Sequence, residues 1–370
     1  MKNTFGTAIS ITIFGESHGE AIGAVIDGLA SGIPIDEAYI TQKMSRRKAK
    51  ADGLSTKRIE PDLVEFISGV YRGHTTGTPV TILIRNCNTR SKDYTATEEL
   101  LRPSHADYTA HAKYKGWQDS RGGGHFSGRI TAAVVAAGAI CQHILQNKGI
   151  KIATHLKSCG GVEDISFSTD QSQLKKQQDA LNEMDFAVLS DVAGSAMQIA
   201  IRTAGSEGDS VGGILETAIT GISAGIGEPF FESVESVLSQ LLFSIPAVKG
   251  VEFGSGFAFA QMRGSVANDP FFIETNRIMT TTNHNGGING GITNGMPILL
   301  RTAVKPTPSI YKAQHTVNYT TKENATLQIQ GRHDPCILHR ARVVQDAMCA
   351  IGILDLYTQQ FGNVWHRQEE

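Results

Sequence analysis

Apolar and polar residues alternate in several short segments of the chain. The clearest run is Ile9-Ser10-Ile11-Thr12-Ile13, in which every second residue is aliphatic. A period of two predicts antiparallel strands with one face covered by the core and the other face more polar. The segments predicted as strands are 8–14, 64–71, 80–84, 213–219 and 298–304.

Other segments have the period of an α-helix. The first predicted helix runs from Ile35 to Arg46, with Pro34 and Asp36 as start signals. The segment 130–146 is nearly all small or aliphatic, which predicts a helix buried on most sides. The remaining predicted helices are 169–184, which is polar and expected on the surface, and 234–243 and 341–361, which are amphipathic.

The order of these elements predicts one α+β domain, residues 1–370, in which strands pack on buried helices. The composition supports this, since 40% of the residues are hydrophobic and can form a large core. With 34 Lys and Arg against 36 Asp and Glu, the chain lacks the basic excess of a general nucleic-acid binder, although a local basic pocket is not excluded.

The chain shows no sign of export or membrane insertion. Residues 1–14 contain one Lys and no sustained apolar run, so no signal peptide is expected. The longest small-apolar stretch, 132–140, is too short to cross a bilayer. The five cysteines are scattered without a CxxC spacing, which predicts neither a disulfide framework nor a zinc site. We therefore expect a cytoplasmic protein without a metal or a membrane partner.

Glycine is unusually frequent, with 39 residues in 370 against a usual share of about 7%. One cluster lies in the loop 121–129, which runs directly into the predicted buried helix. A helix start offers unpaired N–H groups and a positive dipole end, and Arg121 and Arg129 add charge suited to a phosphate. A second cluster occupies 286–295, and a third, 205–213, predicts ordinary turns.

Three short segments carry side chains suited to acid–base chemistry. His18 lies in a glycine-flanked turn, His105 stands between Arg102 and Asp107, and Asp334 precedes Pro335. Considered alone, each histidine fits a structural role better than catalysis. The sequence contains neither the HExxH motif of a metalloprotease nor the GxSxG motif of a hydrolase.

A basic run begins at Arg46 and continues through Arg47 and Lys48 to Lys50, with Lys57 and Arg58 nearby. It fits a solvated segment or a mobile clamp on an anionic ligand equally well.

Seven segments, taken in order, resemble the chorismate synthase family over essentially the whole chain. They are 14–19 (FGESHG), 102–107 (RPSHAD), 121–129 (RGGGHFSGR), 244–252 (SIPAVKGVE), 286–295 (GGINGGITNG), 305–310 (KPTPSI) and 331–336 (GRHDPC). The resemblance implies a β-α-β sandwich, with two antiparallel sheets around central helices, assembled as a homotetramer.

It also implies a reaction. Members of the family convert 5-enolpyruvylshikimate 3-phosphate to chorismate by a trans-1,4-elimination of phosphate. The reaction requires reduced FMN but has no net redox change, because the electron-rich flavin lends charge during a step that side chains perform poorly. The sequence has no dinucleotide fingerprint, so NADPH is expected to act only indirectly, through an external flavin reductase.

The resemblance assigns roles to individual residues. His18 would protonate the departing phosphate, His105 would protonate the reduced flavin near N1, and Asp334 would help N5 take the proton of the substrate. Ser17 and Ser127 would support them through hydrogen bonds. The residues implied to bind FMN are His125, Phe126, Ser127, Gly290, Lys305, Pro306, Thr307, Pro308, Ser309 and Arg332. Those implied to bind the anionic groups of the substrate are Arg47, Arg102 and Arg129.

Two other functions compete with this interpretation. Pro308 and the basic run depart from the usual family pattern, which motivates a non-catalytic flavin- or phosphate-binding protein of the same fold. A nucleic-acid binder that uses residues 46–58 is disfavoured by the balanced charge.

Overall fold

Two five-stranded antiparallel sheets enclose a layer of helices in the computed structural model, which describes residues 2–50, 52–56, 60–87, 99–329 and 333–367. The strands are β1 (Thr4–Phe5), β2 (Ser10–Gly15), β3 (Ala21–Asp27), β4 (Glu65–Ser68), β5 (Val70–Tyr71), β6 (His74–Thr75), β7 (Val80–Arg85), β8 (Lys151–Cys159), β9 (Val162–Glu163), β10 (Gly213–Thr220), β11 (Val248–Phe253), β12 (Phe271–Glu274), β13 (Arg277–Thr280), β14 (Ile288–Asn289), β15 (Ile292–Thr293), β16 (Ile298–Val304), β17 (Gln314–Asn318) and β18 (Glu323–Leu327). The helices are α1 (Glu37–Arg47), α2 (Asp107–Tyr114), α3 (Thr131–Asn147), α4 (Gln171–Glu183), α5 (Asp191–Ser206), α6 (Val234–Phe243), α7 (Gly264–Ala267) and α8 (Leu338–Phe361).

The first sheet has the strand order β1-β2-β3-β7-β4, and the second has the order β11-β16-β10-β8-β9. The central pair of the second sheet, β10 and β16, runs from Gly213 opposite Val304 to Ile219 opposite Ile298. In the first sheet, β3 pairs with both β2 and β7, and its residues Ile22, Ala24 and Ile26 point into the core. The alternation of apolar residues thus covers one face of each sheet, as the sequence predicts.

The helix layer joins the two sheets. Helices α3 and α8 pack against each other, α3 lies on β3 and β7, and α8 lies on β8 and β10. Helix α1 flanks α3 and α6 flanks α8, while α4 and α5 cover the outer side of β8 and β9. The expected β-α-β sandwich is therefore confirmed. In the additional outer layer, α4 matches the surface helix predicted at 169–184, whereas α5 was not predicted.

The two central helices cross at a glycine. A Cβ on Gly138 of α3 would lie 2.3 Å from the Cβ of Ala347 of α8, well inside van der Waals contact. Only a residue without a side chain allows this close approach. The window from Gly128 to Asn147 is long and apolar enough to cross a membrane, contrary to the sequence expectation, yet 83% of it is buried inside the protein. It is a core helix in this fold.

Helix α8 corrects one prediction. It begins at Leu338 and is buried on nearly all sides as far as Thr358, so the prediction of an amphipathic helix from 341 is wrong. Its two buried carboxylates have hydrogen-bond donors inside the protein: Asp346 accepts a hydrogen bond from Thr154 at 2.6 Å. Asp355 accepts hydrogen bonds from the backbone N–H groups of Thr7, Ala8 and Ile9, which holds the segment before β2 against the helix. Satisfied buried polar groups mimic an exposed face in the sequence.

Candidate active site

Two adjoining cavities lie between the helix layer and the loops at one end of the sandwich. The smaller has a volume of about 290 Å³ and includes four arginines and Lys48 in its wall, whereas the larger, of about 750 Å³, has a mostly apolar wall. They share the side chains of His105, Phe126, Ser127, Thr307, Ser309 and Asp334. A small anionic molecule and a larger planar one could therefore lie side by side, with these residues around both.

Arginines dominate the smaller cavity. Arg47 is the last residue of α1, and Arg129 lies in the turn that leads into α3; both are buried. Burial lowers the pKa of Arg47 to about 9, with Arg340 and Arg129 acting in the same direction and Asp62 opposing them. A buried positive charge is costly, so an anionic ligand in contact with it would stabilise it.

His105 is held by two charged neighbours. Its Nδ1 lies 2.8 Å from Asp107 Oδ1 and 3.0 Å from Arg102 Nη2, and Arg102 also donates to Asp107 at 2.7 Å. Burial raises the pKa of Asp107, but the hydrogen bonds from Arg102 and His105 outweigh this and hold its pKa well below the usual range. Because a carboxylate can only accept, the contact with Asp107 favours the tautomer with the proton on Nδ1 of His105. In that tautomer Arg102 donates to Asp107 and not to Nδ1, and Nε2 is the nitrogen that can exchange a proton.

The turn after β2 packs against the glycine-rich loop. The backbone N–H of Ser17 donates to the carbonyl of Gly124 at 3.1 Å, and Ser17 and His18 are both buried. Gly122, Gly123 and Gly124 all have left-handed backbone conformations. A Cβ on Gly122 would lie 2.0 Å from Cε1 of His18, so the imidazole occupies the space that a side chain would fill.

Asp334 stands just before α8 and borders both cavities. Its two carboxylate oxygens accept from Arg340 Nη1 at 2.9 and 3.0 Å, and the backbone N–H of Thr56 donates to Oδ1 at 2.8 Å. Arg340 also donates through Nε to the carbonyl of Arg47 at 2.9 Å. The carboxylate is thus anchored from one side while its cavity side stays open to a ligand.

Comparison with known proteins shows the family of the chain. Residues 9–358 match the family model described as chorismate synthase. A chorismate synthase of Dehalococcoides mccartyi is 44% identical over 359 residues, which is 96% of each chain. The chain belongs to the chorismate synthase family.

Further relatives support this assignment. The chorismate synthase of Methanobrevibacter smithii is 44% identical over 357 residues, and that of Pyrococcus abyssi is 43% identical over 360 residues, which is 97% of this chain and 98% of the relative. A crystal structure of a chorismate synthase superimposes with a TM-score of 0.77 at 28% identity, covering 97% of this chain and 94% of the other. The chain is therefore an enzyme of aromatic biosynthesis whose family uses a flavin.

Most residues that the family resemblance selects lie around the two cavities. The smaller cavity is lined by Arg47, Arg102, His105, Phe126, Ser127, Arg129, Thr307, Ser309 and Asp334. His125, Lys305 and Pro308 join the wall of the larger one. The loop 121–129 runs into α3 as expected, with Ser127 accepting a hydrogen bond from the backbone N–H of Arg129 at 3.3 Å. Arg121 instead points outward and pairs with Asp119.

Other selected residues lie elsewhere. Ser17 and His18 are behind the wall that Gly122 forms in the smaller cavity. Pro306 packs against Gly212. Gly290 lies in the turn between β14 and β15. This hairpin packs against the start of α6, where the backbone N–H of Val234 donates to the carbonyl of Gly291. Arg332 lies outside the described residues.

The structure adds charged residues that sequence reasoning did not select. Asp62 and Arg340 join the smaller cavity and Lys249 joins the larger one. Lys249 could have been selected from the sequence, since it belongs to the 244–252 segment of the resemblance. Asp62 carries no local signal, because its partners Arg47 and Arg129 lie 15 and 67 positions away. Arg340 lies only six positions after its partner Asp334, a spacing that the sequence analysis did not use.

Proposed function

We propose that this enzyme is a carbon–oxygen lyase that converts 5-enolpyruvylshikimate 3-phosphate to chorismate by trans-1,4-elimination of phosphate, with reduced FMN bound and no net redox change. The observation that carries the proposal is the pair of adjoining cavities. A cationic cavity suits a substrate with phosphate and carboxylate groups, and an apolar cavity beside it suits an isoalloxazine ring.

The larger cavity fits FMN in its chemistry as well as in its size. Lys249 and Lys305 supply positive charge for a phosphate, and burial together with Lys249 lowers the pKa of Lys305. The buried Oγ1 of Thr307 has no hydrogen-bond partner within the described part of the chain, which is the condition of a polar atom that awaits a ligand. Bound reduced FMN would supply transient electron density to the substrate as the phosphate leaves.

The arginines would bind the anionic groups of the substrate. Arg47 and Arg129 present guanidinium groups to the smaller cavity, and Arg102 reaches it beside His105. A guanidinium matches the oxygens of phosphate and carboxylate with paired N–H donors. Since these side chains are held in place before the ligand arrives, little ordering is required on binding.

Proton transfers would be divided among three residues. His105 offers Nε2 at the boundary of the cavities while Asp107 holds Nδ1, and Asp334 places a carboxylate at the same boundary for the proton that leaves the substrate. His18, packed under Gly122, would deliver a proton to the departing phosphate, with the neighbouring Ser17 hydroxyl in support. Ser127 would stabilise the turn before α3 through its hydrogen bond with the backbone N–H of Arg129.

Anaerobic turnover tests the proposal. Purified protein, dithionite-reduced FMN and the phosphorylated substrate should release phosphate and form chorismate at equal rates. Oxidised FMN in place of reduced FMN should give neither product, which is the control for the redox state. If the folded protein binds FMN and substrate but forms no product, the proposal of a lyase is wrong and that of a non-catalytic binding protein takes its place. The same assay run aerobically with NADPH and FMN should stay inactive until a flavin reductase is added.

We also propose a homotetramer in solution, as the family resemblance implies. The β12–β13 hairpin supports this, because it is a two-stranded ribbon that exposes Phe271, Ile273 and Ile278 to solvent. An isolated two-stranded hairpin is marginal in water, and exposed apolar patches commonly mark interfaces. Light scattering during gel filtration should give four chains per particle, and Ile273→Glu should reduce this number. A monomeric wild-type protein would contradict the assembly.

A further inference from the structure

One buried carboxylate joins the two arginines at the base of the smaller cavity. The side chain of Asp62 is only 1% exposed, and its Oδ2 lies 3.3 Å from Nη1 of Arg47. Its Oδ1 accepts a hydrogen bond from Nη1 of Arg129. The three residues come from the loop before β4, the end of α1 and the turn before α3, so a single carboxylate links three separate segments.

The backbone of Asp62 is itself unusual. Its φ of +47° lies in the left-handed region, which is unfavourable for L-residues and is tolerated best by Gly, Asn and Asp. Such a conformation persists when the surrounding contacts require it, and these outliers cluster at functional sites. Here the conformation accompanies the placement of the carboxylate between the two guanidinium groups.

The Nε and Nη2 atoms of both arginines also have acceptors within the protein. Arg47 donates through Nε to Thr131 at 3.0 Å and through Nη2 to the carbonyl of Gly128 at 2.8 Å. Arg129 donates through Nε to Asn86 at 2.9 Å and through Nη2 to the carbonyl of Arg85 at 3.3 Å. These neutral acceptors fix the direction of the side chains but do not offset their charge. Asp62 pairs with both guanidinium groups and so holds the two like charges together.

We propose that Asp62 is a positioning residue, which fixes Arg47 and Arg129 as a preformed clamp for the anionic groups of the substrate. One carboxylate between two guanidinium groups leaves one net positive charge, so the clamp is rigid and still attracts an anion. The assignment rests on the proposed function, since the substrate that the clamp holds is the one named there.

The test separates substrate binding from flavin binding. Asp62→Asn keeps the shape of the side chain but removes its charge. Calorimetric titration should show weaker binding of the phosphorylated substrate by about 10- to 100-fold, the range over which outer partners of ligand-holding groups act in metal sites. The Kd of oxidised FMN, which binds in the other cavity, should stay within about twofold, because no FMN-binding group contacts Asp62. In turnover, KM should rise more than kcat falls.

Unchanged or tighter substrate binding by folded Asp62→Asn would overturn the assignment, as would an equal loss of FMN and substrate affinity. Asp164→Asn is the matched control, because Asp164 is also a buried carboxylate but accepts from His155 in the outer layer, away from both cavities. It should lose stability and keep both affinities, which shows that destabilisation alone does not weaken the clamp.

If Asp62→Asn does not fold, Asp62→Glu decides the question. It keeps the charge but moves the carboxylate by one methylene, so substrate affinity should fall while FMN affinity holds, and wild-type affinity for both would overturn the role of Asp62. Titration and turnover of the wild-type protein come first. A wild-type protein that does not bind or convert the substrate would refute the proposed function. If the wild-type protein is active, the variants test only the role of Asp62.

Discussion

The packing of His18 under Gly122 leads to a sharp prediction about Gly122→Ala. The new Cβ would lie 2.0 Å from Cε1 and 2.2 Å from Nδ1 of His18, whereas ordinary contacts are 3.4–4 Å. It would also lie 3.2 Å from Oγ of Ser17. The new Cβ is attached to the loop backbone, so the imidazole of His18 must move away from it by more than about 1 Å. A misplacement of this size can lower a rate by about 10².

The substitution also strains the backbone. Gly122 has a φ of +59°, and alanine in that region costs about 1–2 kcal/mol of stability. Gly32→Ala isolates this cost, because Gly32 has a φ of +85°, faces open space and lies far from the cavities. We therefore expect both variants to lose stability, Gly122→Ala the more because of its contact with His18, while only Gly122→Ala loses activity.

The assay is anaerobic phosphate release with dithionite-reduced FMN, alongside thermal unfolding of each variant. Gly122→Ala should show kcat about 100-fold below wild type, with FMN affinity unchanged. Gly32→Ala should turn over at the wild-type rate. A folded Gly122→Ala protein with kcat within about threefold of wild type would refute the argument, because an imidazole displaced by that distance would then not matter to the reaction.

Three further predictions follow from buried contacts. Gly138→Ala should lower the free energy of unfolding by about 1–3 kcal/mol, measured in urea, because its Cβ would meet that of Ala347. Asp107→Asn should lower kcat by about 10² in the anaerobic assay, since Nδ1 of His105 loses its carboxylate. Burial lowers the pKa of His155, but its hydrogen bonds to Asp164 and Glu216 outweigh burial and raise the pKa. The contribution of charged His155 to stability is therefore complete below about pH 6.5 and is lost as the pH rises through the raised pKa. The difference in Tm between wild type and His155→Gln should therefore shrink from pH 6.5 upward, and a constant difference would contradict a charged His155.

Much of the fold was within reach of sequence reasoning. The strand predicted at 298–304 coincides with β16, and the helix predicted at 234–243 coincides with α6, because their apolar periods report burial directly. Helix α8 was misread for a physical reason. Gln345, Asp346 and Asp355 are buried with partners on other segments, and a periodicity argument counts such residues as an exposed face.

The candidate site also contains contacts that the sequence could predict and contacts that it could not. His105 and Asp107 lie two positions apart, so their pairing could be expected from the local sequence, and the structure shows it. The contacts of Asp62 with Arg47 and Arg129 span 15 and 67 positions, and only the tertiary fold brings these charges together. The placement of His18 depends on the backbone conformation of Gly122, which a glycine count does not reveal.

The bond between Asp355 and the first residues of the chain has a consequence for the order of synthesis. The backbone N–H of Thr7 and the carboxylate that receives it are 348 positions apart. At about 5–20 residues per second, a ribosome needs roughly 20–70 s to bridge that interval. During this time the amides of residues 7–9 cannot meet their acceptor, and the apolar inner face of the second sheet is not yet covered by α8. A chain in synthesis is therefore exposed to aggregation at that face until α8 has been made.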